Sequence, residues 1–129
     1  MIHIIPPSKI EIKKSLGKGL GVFATDKIYK DEIIETCHIL SLPLDPNGHI
    51  LSDYKFAYPR GSDWKESVIV LGYGSLYNHS NEPNAYWEDN PKYRGFIFYA
   101  NQDIAIGDEI TTYYGGDDYW STKKCKLIK

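Results

Sequence analysis

The chain has 129 residues with 42% hydrophobic and 25% charged side chains, the length of one ordinary domain and a composition that excludes intrinsic disorder and a fibrous repeat. Fifteen basic residues face seventeen acidic ones for a net charge of −2, too little positive charge for binding nucleic acid through its phosphates. No apolar run approaches the roughly 20 residues of a membrane helix, and the opening Met1 to Ile10 lacks the pattern of a secretory signal, so no membrane association and an intracellular location are expected.

In chain order, short β-branched and aromatic segments recur between turn signals. They are Glu11 to Lys13, Leu20 to Ala24, Glu32 to Leu40, Ser67 to Leu71, Asn84 to Glu88, Gly95 to Ala100 and Glu109 to Tyr114. The breaks carry turn chemistry: Asp26-Lys27, Lys30-Asp31, Pro43 to Gly48, Pro59 to Gly61, Asn81 to Pro83, Asn90-Pro91 and Gly107-Asp108. The pattern predicts a mainly β fold with brief helices, one of them at Leu51 to Ala57. Residues 1–129 read as a single domain. The loose ends are the Pro6-Pro7 entry and a lysine-rich tail over 121–129.

Three runs carry chemistry. Gly19-Leu20-Gly21-Val22-Phe23-Ala24 has the Gly-x-Gly-x-x-Ala spacing of a dinucleotide loop, but it leads into strand residues rather than opening a helix, which rejects that reading. The glycines serve either a backbone-lined cofactor loop or a tight hairpin. Asn78-His79-Ser80-Asn81-Glu82-Pro83-Asn84 is the densest polar run; it contains a glycosylation-type Asn-x-Ser without a secretory signal, and a Ser-His pair without the spacing of a nucleophile elbow. From Ile106 to Trp120 a turn, a strand and a glycine-rich, aromatic and acidic segment follow. Asp117 and Asp118 have no ligand-spaced histidine or cysteine beside them, and Cys37 and Cys125 alone make neither a disulfide framework nor a four-ligand zinc cluster.

Ten of the eleven tyrosines fall between Tyr54 and Tyr119, either lining aromatic pockets or serving as ordinary half-buried strand residues. Between Asp45 and Asp118 there are 12 acids and 5 bases. This field suits a basic partner, or is a solvated face.

Taken together and in order, these runs resemble the SET domain of the protein lysine methyltransferases over about residues 17–120, and most resemble the minimal stand-alone SET proteins of viruses and microbes. The first motif is Gly19 to Ala24, the central one Asn78-His79-Ser80 with Pro83-Asn84, and the last Gly107-Asp108-Glu109-Ile110-Thr111 with Tyr114-Gly115. The resemblance implies a β-clip of several small sheets, with the C-terminal segment crossing in a knot-like way beside the Asn-His motif. It further implies S-adenosylmethionine as cofactor, held by Gly19, Leu20, Gly21, Tyr54, Asn78, His79 and Trp120. Tyr114 would be the catalytic residue, and Glu109 would support the crossing. Tyr73, Thr112, Tyr113 and Tyr119 would line the substrate channel, Thr112 at the place of a family aromatic that influences how many methyl groups are added. The family's flanking zinc-binding cysteine clusters are missing, so Tyr119 and Trp120 are the expected cover of the site, with no metal.

The partner implied is a lysine-containing protein, a basic histone-like tail, with a homodimer an open assembly state. The location would be nuclear or chromatin-associated in a eukaryotic host and cytoplasmic otherwise. A catalytically inactive peptide-binding module of the same fold is the alternative.

Overall fold

The structure is a computed structural model and describes residues 6–42, 55–60 and 66–113. Nine strands follow in order: β1 Ile10–Ser15, β2 Gly19–Ala24, β3 Ile33–Ser41, β4 Lys55–Tyr58, β5 Glu66–Val70, β6 Asn78–His79, β7 Ala85–Asp89, β8 Gly95–Ala100 and β9 Glu109–Thr112. The expected mainly β architecture is what forms. The single helical element among the described residues is a 3-10 turn at Gly74–Leu76. The short helix expected at Leu51 to Ala57 is not found at residues 55–57, which belong to β4 and pair with β5 through Lys55↔Ile69 and Ala57↔Ser67. Ladder pairing against a β-branched neighbour outweighs the weak helical spacing there.

The strands make two sheets, one of four strands in the order β1-β2-β9-β6 and one of five in the order β4-β5-β3-β8-β7. Local hairpins supply part of each. β1 folds back on β2 through a turn over 16–18 in which Gly17 takes φ 74, and Gly19 enters β2 at φ 78, a conformation glycine adopts without steric cost. β9, from the far end of the chain, enters between β2 and β6. It runs antiparallel to β2 with Val22 opposite Ile110, and parallel to β6 with Asn78 opposite Thr111 and His79 opposite Thr112. Parallel pairing cannot come from a tight hairpin, and here the long connection through β7 and β8 supplies the crossover.

One apolar cluster joins the sheets. Val22, Ala24 and Ile110 contribute from the four-stranded side, and Val68, Val70, Phe96, Phe98 and Ala100 from the other. β8 buries four of its six residues and is the middle of this core. Its Phe96 and Phe98 pack with Phe56, Tyr58, Tyr77 and Trp87 at ring separations of 4.7 to 6.4 Å.

Candidate active site

The three sequence runs converge in the four-stranded sheet, where β2, β9 and β6 lie side by side. Their meeting point is a polar network in which Glu109 is central. Its Oε1 accepts from the Ser15 hydroxyl at 2.7 Å, and its Oε2 accepts from Asn78 Nδ2 at 2.7 Å. The same Nδ2 also donates to the Leu20 carbonyl at 3.0 Å. Both amide hydrogens of Asn78 are therefore spent inside the protein, one on the first motif and one on the last.

Gly21 explains why the first motif needs its second glycine. A Cβ there would lie 2.5 Å from Glu109 Oε2 and 2.9 Å from Asn78 Nδ2. The space a side chain would fill is taken by the network itself. Gly19, by contrast, faces open space, and Leu20 beside it is 53% exposed. Of the two readings of this run, the tight hairpin is what forms between β1 and β2, and the close backbone approach at Gly21 is to Glu109 and Asn78 of the protein itself.

Asn84 repeats the bridging role one strand further on. Its Nδ2 donates to the Glu109 carbonyl at 2.9 Å, and its Oδ1 accepts from the Thr111 N–H at 2.8 Å. Asn101 in turn donates to the Pro83 carbonyl at 3.0 Å. The Ser80 N–H closes on the Thr112 carbonyl at 3.0 Å. The loop after the central motif is therefore tied to β9 at both its ends, Ser80 and Asn84.

His79 lies against Tyr113, with ring centroids 5.3 Å apart, and its Nε2 is 3.0 Å from Asn81 Oδ1. Thr112 is fully buried, and its hydroxyl has no hydrogen-bond partner among the described residues. Tyr73 takes part in another set of contacts. It packs on the apolar core at the start of the 3-10 turn, and its N–H points to Glu35 Oε2 at 3.3 Å. Of the site residues expected from sequence, Gly19, Leu20, Gly21, Asn78, His79, Thr112 and Tyr113 are brought together around β9. Tyr54, Tyr114, Tyr119 and Trp120 lie outside the described residues.

Two polar residues escaped sequence reasoning. Ser15, buried at the end of β1, completes the carboxylate shell of Glu109. Glu35, 4% exposed on β3, accepts the Tyr77 hydroxyl at 2.6 Å, and burial pushes its carboxyl above the ordinary carboxylate range. A lone serine after two lysines gives no pattern to detect. An acid inside the apolar run Ile33-Ile34-Glu35 is a detectable signal, because an acid is seldom placed there without a partner.

The donor set suits S-adenosylmethionine. An open backbone face at Gly19 and Leu20, an Asn78 Oδ1 left without a partner among the described residues, and the aromatic pair His79 and Tyr113 offer acceptors and ring faces to a small cationic ligand.

Comparison with known proteins places the chain among its relatives. The SET domain model matches residues 19–115. A crystal structure of a candidate histone methyltransferase from Plasmodium falciparum is 38% identical and superposes with a TM-score of 0.71, covering 87% of this chain and 97% of that one. The histone-lysine N-methyltransferase of Schizosaccharomyces pombe specific for lysine 37 of H3 is 29% identical over 88% of this chain and 77% of its own length. A lysine-36-specific relative from Candida glabrata is 30% identical over 92% of this chain but only 18% of its own. With its three motifs gathered on one sheet and a family match running from the first motif to the last, the chain belongs to the SET-domain family.

Proposed function

We propose that the protein transfers a methyl group from S-adenosylmethionine to the side-chain amine of a lysine in a basic, histone-like protein tail. The observation that carries this reading is the union of the three motifs through Asn78: one side chain ties Leu20 of the first motif to Glu109 of the last. Relatives that methylate histone H3 support the substrate class, and with it a chromatin location in a eukaryotic host.

When bound, S-adenosylmethionine supplies an electrophilic methyl group on a sulfonium. The chain has to do the rest, which is mainly positioning. A lysine amine of pKa about 10.4 must become neutral near pH 7, at a cost of roughly 4 to 5 kcal/mol, and a desolvated channel beside a cation lowers that cost. The Leu20 carbonyl and the Asn78 amide are held by each other, so this edge of the site keeps its shape without a ligand. Tyr113 and Thr112 stand at the C-terminal end of β9, directly before Tyr114. The hydroxyl of Tyr114 would orient the attacking nitrogen, an alignment effect rather than proton chemistry.

Attraction of a basic tail draws on the acidic stretch. Glu82, Glu88, Asp89 and Asp103 are exposed, although Asp89 and Asp103 each already accept one backbone N–H, from Arg60 and Lys30.

The test is transfer of labelled methyl from S-adenosylmethionine to recombinant histone H3 by the wild type, Tyr114→Phe and Tyr113→Phe. Tyr114→Phe should bind S-adenosylmethionine normally and lose turnover by about 100-fold or more, the scale of a misplaced reacting group. Activity lost in Tyr113→Phe and kept in Tyr114→Phe would shift the catalytic assignment by one residue. Cofactor binding with no transfer to any protein would favour the inactive peptide-binding module.

A further inference from the structure

The segment that delivers Asn78 and His79 to the site leaves the five-stranded sheet at Val70, makes the 3-10 turn and reaches β6 through Tyr77. Besides the Ser75–Val70 bonds and the Leu71 N–H on the His38 carbonyl, this crossing is held at two points by one carboxyl group on β3. Glu35 Oε1 accepts the Tyr77 hydroxyl at 2.6 Å, and Oε2 accepts the Tyr73 N–H at 3.3 Å. Gly72 has φ 73, and a Cβ there would come within 3.0 Å of Oε2, so glycine is what lets the turn approach the carboxyl so closely. The Tyr77 ring is itself stacked on Phe98 with centroids 4.7 Å apart. Among the described residues the groups that bear on Glu35 are Tyr77, the Tyr73 N–H and Cys37, and none of these is a cation.

An acid buried without a cation is a costly way to stabilise a fold, and an apolar side chain of similar size would serve packing at least as well. What a carboxyl adds is direction, since it fixes a hydroxyl and an N–H at defined points. Those points lie one and five residues before Asn78, whose amide must reach Leu20 and Glu109 together.

We propose that Glu35 is a positioning residue of the cofactor site, acting through the Tyr77 hydroxyl to set where Asn78 and His79 stand beside β9. This rests on the methyltransferase reading for its cofactor, and on the hydrogen-bond geometry for its mechanism. It predicts that the five-stranded sheet, which contributes no side chain to the Asn78 network, nonetheless tunes cofactor affinity.

The experiment uses Tyr77→Phe, which keeps the ring on Phe98, together with Glu35→Gln, the double variant, and Val68→Ala on β5 as a core control outside residues 71–77. Two readouts are taken below the melting transition of every variant: hydrogen exchange of the Ser80 amide, which bonds the Thr112 carbonyl, and calorimetric affinity for S-adenosylmethionine. Tyr77→Phe and Glu35→Gln should each speed Ser80 exchange and weaken affinity by about tenfold, the size of part of one buried hydrogen bond. The double variant should be no worse than either single one, because the two groups act as a unit. Val68→Ala should melt lower with Ser80 exchange and affinity unchanged. If the variants melt lower but bind as tightly as a binding wild type, Glu35 is structural only and the proposal is overturned. If the wild type binds no S-adenosylmethionine, the methyltransferase reading falls, and the cofactor role of Glu35 falls with it.

Discussion

The two sheets are built on different physical principles. In the five-stranded sheet the buried positions, among them Val68, Val70, Phe96, Phe98 and Ala100, are apolar except for Glu35, and its cohesion comes mainly from apolar burial and ring contacts. In the four-stranded sheet the meeting point of β2, β6 and β9 is filled by Ser15, Glu109, Asn78 and Asn84, joined at 2.7 to 3.0 Å. Hydrogen bonds are directional, so this half fixes atoms rather than volumes. Glu35 apart, the scaffold is where stability resides, and the motif sheet is where geometry resides.

The sharpest way to break that division is to remove mass from the scaffold. Phe98→Ala deletes a fully buried ring that packs on Tyr77 and Trp87 and should cost about 3–5 kcal/mol of stability, read by chemical denaturation. At temperatures where the variant is folded, cofactor affinity should fall far less than stability. A loss confined to affinity would show that the two halves are not separable in this way.

Asn78→Ala makes the complementary cut. It strips Glu109 and the Leu20 carbonyl of a shared donor and should weaken S-adenosylmethionine binding by about 1–3 kcal/mol in a titration. Unchanged affinity with lowered stability would make Asn78 a turn residue only.

The smallest effect concerns pH. Burial raises the Glu35 carboxyl pKa in the folded state, so between the unfolded and folded values the native protein binds more protons than the unfolded chain. Stability from this group is therefore fully present below the unfolded pKa, about 4.3, and declines as pH rises through the raised one. Melting curves from pH 4 upward should flatten in Glu35→Gln relative to wild type. Parallel curves would show that Glu35 does not titrate in this range.

Much of the scaffold was legible because its strands alternate with strong turn residues. Gly95 to Ala100 is found at its expected bounds, and β2 begins one residue earlier than expected, at Gly19. β6 was not legible as a strand, since two polar residues carry no periodicity and pair only because β9 arrives from far along the chain. Residues 55–57 were misread for a related reason: their strand character depends on β5. At the site, the side-chain types that form the Asn78–Glu109 bond were visible in the motifs, but their use was not. The motifs place Asn78 at the site, but nothing in the sequence says that both of its amide hydrogens are engaged by Leu20 and Glu109.

The insertion of β9 between β2 and β6 also dictates an order of assembly. The β1–β2 hairpin and the β7–β8 pair close over short loops and can form as soon as they are synthesised, but Val22 must wait for Ile110 and Asn78 for Thr111. Until β9 has left the ribosome, β2 and β6 present unpaired edges and Ser15 has no carboxylate to meet. The first and central motifs thus reach their joint geometry only once β9 has been made, when that one strand closes them around itself.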